Sequence, residues 1–259
     1  METYYSYQFS LLYVLLKDLI MMNNSIDTKK AIFFDNKREI IFFFVFITLC
    51  LVEAFRSALG LSNYEYILKP LVMFMIIVDY FSQVMKVKTV FSYGIFFALI
   101  MSMFGDIFLM INGYFVQGVA AFGVGHILYS TAYISNIKES KTQVSLQKRI
   151  LVILPVLIYS FGLYFYMVPG LKDMQLPITI YVLLISTMGT TCALRLNCTE
   201  MRSYYTSLAG SVLFIFSDSL IGLSMFGGVK GNWIGPTIMI TYYCGQYLIS
   251  RGALFHIKY

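Results

Sequence analysis

Hydrophobic residues in this chain occur in long continuous runs separated by short polar segments. A run of about twenty residues crosses a hydrocarbon core about 30 Å thick when it is helical, because each residue adds about 1.5 Å. The strict alternation typical of barrel strands is missing from these runs. The pattern predicts an all-α, polytopic membrane protein with eight transmembrane helices, near residues 40–59, 66–83, 90–111, 114–137, 148–168, 176–196, 204–226 and 234–252.

These runs divide the chain into three parts. Residues 40–252 form the predicted transmembrane domain, and residues 253–259 follow as a short cytoplasmic tail. Residues 1–39 contain an apolar stretch that is too short for a span and is interrupted by Lys17 and Asp18. We expect this segment to be a cytoplasmic or interfacial extension.

Composition agrees with a membrane protein, since 59% of the residues are hydrophobic and only 12% are charged. Lysine and arginine are concentrated in the N-terminal segment and in alternate loops. Basic loops stay on the cytoplasmic side, so both termini are predicted to be cytoplasmic. The formal net charge of +6 is therefore mostly an orientation signal and does not indicate nucleic-acid binding.

Two aspartates stand inside these apolar runs, in "FGD" at 104–106 and "FSD" at 216–218. An ionised aspartate near a helix centre costs about 2.5 to 3.5 kcal/mol on insertion scales, so such residues are functional by default. Asp106 and Asp218 are therefore the candidate functional pair. The alternative is a hydrogen bond that only ties two helices together.

The segments after the two aspartates also match, as "VGHILYS" and "CGQYLIS". His126 and Gln246 occupy equivalent positions in them. The matches predict two parallel four-helix repeats, which would bring the two aspartates face to face. The alternative is chance similarity between apolar segments.

Further polar residues are predicted to lie at similar depth, in the non-cytoplasmic half of the membrane. Each has a structural alternative: Lys69 could extend to the interface, a lone His126 could bridge helices, and Tyr242 and Tyr243 could be interfacial anchors. With Gln246, these residues could form one polar chamber around the aspartates. Glu53 is predicted at similar depth, and its alternative is to pair with Arg56 near the surface.

Several enzyme classes do not fit these residues. A zinc hydrolase with three histidine ligands is excluded by a total of 2 histidines, and the G-x-S-x-G elbow of serine hydrolases is absent. When two carboxyl groups share a dry site, their pKa values move apart, so that one is protonated and acts as an acid while the other is ionised and acts as a base. That suits acid-catalysed cleavage through an oxocarbenium-like ion.

Five short segments occur in order along the predicted helices: "KPL" at 69–71, "FGDIFLM" at 104–110, "GHILYS" at 125–130, "SDSLIG" at 217–222 and "TYYCGQYLI" at 241–249. Together they resemble the YhhN-like transmembrane lysoplasmalogenase family. The resemblance covers about residues 40–252. Its one mild departure is Cys244-Gly245 before Gln246, where the family commonly has alanine or leucine.

The resemblance implies hydrolysis of the vinyl ether of a lysoplasmalogen to a fatty aldehyde and a glycerophosphocholine or glycerophosphoethanolamine. It implies Asp106 and Asp218 as catalytic residues, with Lys69, His126, Tyr129, Tyr242, Tyr243 and Gln246 as substrate-binding or supporting residues. No metal or organic cofactor is expected, the partner is the lysophospholipid, and the endoplasmic reticulum is the expected membrane. The alternatives are a proton-coupled transporter, a lipid-binding receptor, or a family member without activity.

Overall fold

The structure is a computed structural model that describes residues 37–84, 86–140 and 144–258. Within those ranges every regular element is helical. Most of the predicted N-terminal extension, residues 1–36, lies outside the described residues.

The long helices follow the apolar runs of the sequence. They are α1 (Lys37–Ala54), α2 (Glu65–Val84), α3 (Val90–Met110), α4 (Phe115–Glu139), α5 (Leu146–Leu171), α6 (Gln175–Ala193), α7 (Met201–Met225) and α8 (Ile234–Lys258). Short turns at Ser62–Tyr64 and Lys172–Met174 precede α2 and α6. In lipid every backbone N–H and C=O must be bonded within the protein, which explains why these runs form helices.

Four stretches of the described residues are long and apolar enough to cross a membrane: Ser62–Val84, Val90–Met110, Leu146–Ala193 and Met201–Met225. The third contains both α5 and α6. The chain is therefore a multi-pass membrane protein, while the number of eight spans remains a prediction.

The last helix runs beyond the end of the last predicted span. Helix α8 continues to Lys258 instead of ending near residue 252. Ala253, Leu254 and Phe255 are at most 1% exposed. Burial of these apolar side chains explains why the helix extends into the segment that was predicted to be a tail.

The chain separates into two compact units, residues 1–47 and residues 48–259. Of the first unit, the structure describes residues 37–47, which form the beginning of α1. The second unit contains the end of α1 and all later helices. The candidate site lies entirely in this second unit.

Helix α3 starts from a local sequence signal and carries Asp106 near its other end. Thr89 accepts a hydrogen bond from the Ser92 amide, and the Ser92 hydroxyl accepts one from the Thr89 amide. This reciprocal capping satisfies two amides that the helix leaves free. Further along, a Cβ on Gly105 would lie 2.5 Å from the Phe122 ring. The glycine therefore lets the α4 ring lie directly against α3 beside Asp106.

Helices α7 and α8 approach each other across small residues. A Cβ on Gly210 would lie 2.7 Å from the Gly245 carbonyl oxygen, and a Cβ on Gly252 would lie 2.6 Å from the Ser207 amide nitrogen. Small residues let membrane helices pack backbone to backbone. This close packing fixes α7, which carries Asp218, against α8, which carries Tyr242 and Gln246.

Candidate functional site

Asp218 belongs to a hydrogen-bonded group that joins three helices. The Tyr181 hydroxyl of α6 donates a short hydrogen bond to Asp218 Oδ2. His126 Nε2 lies 3.0 Å from the same hydroxyl and 3.8 Å from Asp218 Oδ2. The His126 side chain is 0% exposed and that of Asp218 is 8% exposed. Tyr181 thus connects the predicted histidine to the predicted aspartate.

Asp218 and Tyr181 also line a pocket between α3, α4, α5, α6 and α7. The cavity itself is small, with a volume of about 70 Å³, and it opens towards the surface of the protein. Its other lining side chains are mainly apolar, among them Leu109, Phe122 and Met167. This pocket suits a hydrocarbon chain with a reactive polar group beside Asp218.

Asp106 lies in a second group of polar residues. It is 5% exposed, and its Oδ2 has no hydrogen-bond partner among the residues that the structure describes. The Tyr242 hydroxyl lies in range of its carboxyl group and also donates weakly to the Ser102 carbonyl oxygen, at 3.4 Å. Tyr243, Lys69 and Glu53 interact with Asp106 electrostatically.

Aromatic rings connect the two groups. Phe122 packs beside Asp106 on Gly105, and its ring lies 5.9 Å from Tyr242 and 6.1 Å from Phe214. Phe214 lies 5.1 Å from the His126 ring. No hydrogen bond joins Asp106 to Asp218 within the described ranges, but their carboxyl groups interact electrostatically. The two aspartates are neighbours across a layer of aromatic side chains.

Two further predicted residues bind each other. The Tyr129 hydroxyl donates to Gln246 Oε1 at 2.6 Å, and both side chains are 0% exposed. Gln246 Nε2 has no partner in the described part of the chain. This amide therefore keeps one buried donor that a water molecule could satisfy.

Lys69 lies in a network of ion pairs. Its Nζ is 2.6 Å from Glu65 Oε1, which is 2.8 Å from Arg56 Nη2. Arg56 Nη1 is 2.5 Å from Glu53 Oε1, which confirms the predicted pairing of these two residues. The side chain of Glu53 is 0% exposed, so this carboxylate is buried within the protein. Glu53 interacts electrostatically with Lys69, Asp106 and Tyr243, which lie on other helices, and a single apolar run cannot reveal such neighbours.

Tyr181 is the member of the candidate site that the sequence analysis missed. It stands in an ordinary apolar run, "LPITIYVLLIS", with no motif around it. Tyr181 lies about as far along α6 from its first residue as Asp106 lies along α3 from its last residue. The two side chains are therefore at similar depth along their helices. Comparing the depths of tyrosines as well as charged residues could have found it.

Within the described ranges, no group of three or more His, Cys, Asp or Glu side chains is arranged to hold a metal ion.

The long apolar helices define a multi-pass helical membrane protein, and the two aspartates lie on two of these helices. Residues 64–253 match the YhhN family, and the chain belongs to that family. Glu53 and Arg56 precede the matched region.

Several characterised relatives carry the same name. The chain is 33% identical over 166 residues to lysoplasmalogenase TMEM86A of Bos taurus, and 31% identical over 173 residues to that of Homo sapiens. It is 27% identical over 164 residues to lysoplasmalogenase of Mycobacterium tuberculosis. The alignments cover 62%, 62% and 61% of this chain, and 65%, 65% and 59% of the respective relatives, so less than two thirds of each relative is matched. No solved structure matches this chain.

Proposed function

We propose that this protein hydrolyses the vinyl ether bond of lysoplasmalogens. The products would be a fatty aldehyde and glycerophosphocholine or glycerophosphoethanolamine. The names of the relatives support the reaction class. The observation that carries the proposal is the position of the Asp218 carboxyl group, hydrogen-bonded to Tyr181, in the wall of an otherwise apolar pocket. An alkenyl chain in this pocket would bring its ether end to a carboxyl group.

The chemistry needs an acid and a water molecule. A carboxylic acid donates a proton to the β carbon of the vinyl ether, which leaves an oxocarbenium ion at the carbon bound to oxygen. Water adds to that carbon and gives up a proton, and the resulting hemiacetal breaks into the aldehyde and the glycerol hydroxyl. One of Asp106 and Asp218 would donate the first proton, while the other, ionised, would stabilise the cation and orient water.

The remaining polar residues would support these steps. His126 reaches Asp218 through Tyr181, which favours a role in holding that carboxylate. The free Nε2 donor of Gln246 would hold water, with Tyr129 fixing the orientation of the amide. Tyr242 and Tyr243 would orient Asp106. Lys69 would attract the head-group phosphate, which would share the ammonium group with Glu65.

The proposal is tested by adding lysoplasmalogen to purified protein and following aldehyde release. General acid or base catalysis contributes about 10²- to 10⁴-fold, so Asp106→Asn and Asp218→Asn should each lower the rate by about that factor. Asp173→Asn is the matched control, because Asp173 is exposed in a connecting turn. An alkyl lysophospholipid without the double bond should release no aldehyde.

Two outcomes would contradict the proposal. If both aspartate variants keep the full rate of an active wild type, the acid and base scheme fails. If the wild type releases no aldehyde from any vinyl-ether lipid, transport or lipid binding becomes the better explanation of the buried carboxyl groups.

We also propose eight transmembrane spans with both termini in the cytoplasm, in the endoplasmic reticulum membrane. The asymmetric distribution of basic residues supports this orientation. Two parallel four-helix repeats would be consistent with the close α3 and α4 packing at Gly105 and the close α7 and α8 packing at Gly210. Imaging of a tagged protein and protease protection of tags at each terminus test the location and the orientation.

A further inference from the structure

Glu53 is a buried carboxylate that no part of the proposed reaction uses. Its Oε1 pairs with Arg56, while its Oε2 has no hydrogen-bond partner among the described residues. An unsatisfied, buried carboxylate oxygen is costly, so its presence needs an explanation. Asp106 Oδ2 and the Tyr243 hydroxyl are also buried without a hydrogen-bond partner in the described ranges. Asp106 and Tyr243 each interact electrostatically with Glu53, and they also interact with each other.

The ion pairs around Glu53 form what we call the five-charge cluster: Glu53, Arg56, Glu65, Lys69 and Asp106. Arg56 bridges Glu53 and Glu65, and Lys69 pairs with Glu65. Lys69 also interacts electrostatically with Glu53 and Asp106. If every group were ionised, three carboxylates would face two cations and leave one uncompensated negative charge. A single bound proton makes the cluster neutral, which low-dielectric surroundings favour strongly.

The contacts indicate which carboxyl group takes that proton. Glu65 touches both cations, and at 30% its side chain is the most exposed of the ion-paired carboxylates. Glu53 touches Arg56. Asp106 has no ion-pair contact in the described part of the chain, and it is the member for which ionisation is least compensated. Asp218, by contrast, accepts a hydrogen bond from Tyr181, and its Oδ2 lies 3.8 Å from His126 Nε2.

We propose that Glu53 keeps Asp106 protonated through the charge balance of the five-charge cluster, so that Asp106 is the proton donor and Asp218 the ionised partner. This inference rests on the proposed function and assigns its two carboxyl roles. Leu109, one turn after Asp106 on α3, lines the same pocket as Asp218, so a bound vinyl ether would lie near both groups. Glu53 touches no substrate in this scheme and acts as a positioning residue.

Several titratable or charged groups face the two carboxyl groups. Asp106 is faced by Glu53, Lys69, Asp218, Tyr242 and Tyr243, and Glu53 is faced by Cys50, Arg56, Glu65, Lys69, Asp106 and Tyr243. The cysteine and the tyrosines are neutral in the charge balance above.

Dicyclohexylcarbodiimide tests the proton directly, because it enters membranes and modifies protonated carboxyl groups. Peptide mapping of the labelled full-length protein should find Asp106 modified at neutral pH and Asp218 unmodified. Glu53→Gln removes a negative charge, so labelling of Asp106 should require a pH lower by about one unit, a tenfold change in proton affinity. Lys69→Gln removes a positive charge and should move the labelling to higher pH by a similar amount.

The opposite directions of these shifts separate charge balance from damage to the fold, since disruption would not move labelling both ways. The alkaline limb of aldehyde release should shift to lower pH in Glu53→Gln. Unlabelled Asp106, or identical labelling curves in all three proteins, would overturn the inference even if the wild type is active. If the labelling shifts occur but no aldehyde is released, the charge balance stands and the proposed function fails.

Discussion

Tyr181→Phe is the substitution that isolates the hydrogen bond to Asp218. It removes one hydroxyl group, which donates to Asp218 Oδ2 and lies 3.0 Å from His126 Nε2, and it keeps the ring. The pocket keeps its apolar wall because the aromatic carbons stay in place. Any loss of activity therefore reports on the carboxylate and not on the space for the substrate.

The size of the effect follows from the charged acceptor. A hydrogen bond to a charged group contributes about 1.5 to 3 kcal/mol, which corresponds to about 10- to 150-fold in rate if the transition state needs the ionised carboxylate. His126 Nε2 is already 3.8 Å from Asp218 Oδ2 and could move closer, so the lower half of this range is expected. The pH profile of the rate should also change, because the carboxylate has lost a hydrogen-bond donor.

The assay is the initial rate of aldehyde release from lysoplasmalogen in detergent or vesicles. Tyr164→Phe is the matched control, because its hydroxyl also joins α5 to α6, 2.7 Å from Thr179 Oγ1, but the side chain does not contact Asp218. This control should keep the wild-type rate within about twofold, since it leaves the carboxylate intact. Equal rates in wild type and Tyr181→Phe, with an unchanged pH profile, would refute the role given to Tyr181.

Two further substitutions test the pocket and the packing beside Asp106. Gly222 lines the pocket, and a Cβ added there would lie 2.8 Å from Met167 Sδ. Gly222→Leu should therefore slow aldehyde release from lipids with long alkenyl chains by about tenfold and leave the rate with short chains unchanged. Equal slowing with long and short chains would contradict a chain-binding pocket. Gly105→Ala should lower the free energy of unfolding by about 1 to 3 kcal/mol, because its Cβ would overlap the Phe122 ring. The measurement is thermal unfolding of Gly105→Ala, compared with the control Gly162→Ala, whose added Cβ would meet no atom within 4 Å. Equal stability of the two variants would contradict the packing of Phe122 on Gly105.

The apolar runs of the sequence predicted the positions of the helices closely, because helical length and lipid thickness are tightly linked. The ends were less predictable: α8 extends to Lys258 since its last turns are buried, and burial depends on neighbouring helices. The two aspartates could be singled out as candidates, because a charge in an apolar run is a strong local signal.

The grouping around the aspartates could not be predicted. Sequence gives the depth of a residue along a helix but not the direction in which its side chain points or the helix that it meets. For that reason the expected single chamber is two connected groups, with His126 linked to Asp218 through Tyr181. The same limit hid the burial of Glu53, which depends on helices far along the chain.

The most direct test of the account is the isotopic composition of the products when the wild-type protein acts on lysoplasmalogen in D₂O and, separately, in H₂¹⁸O. Protonation at the β carbon predicts one solvent deuterium on the carbon next to the aldehyde group, in product that is trapped as it forms. Capture of the oxocarbenium ion predicts that no ¹⁸O enters the released glycerol hydroxyl. Aldehyde without deuterium, ¹⁸O in the glycerol product, or no aldehyde at all would contradict the account.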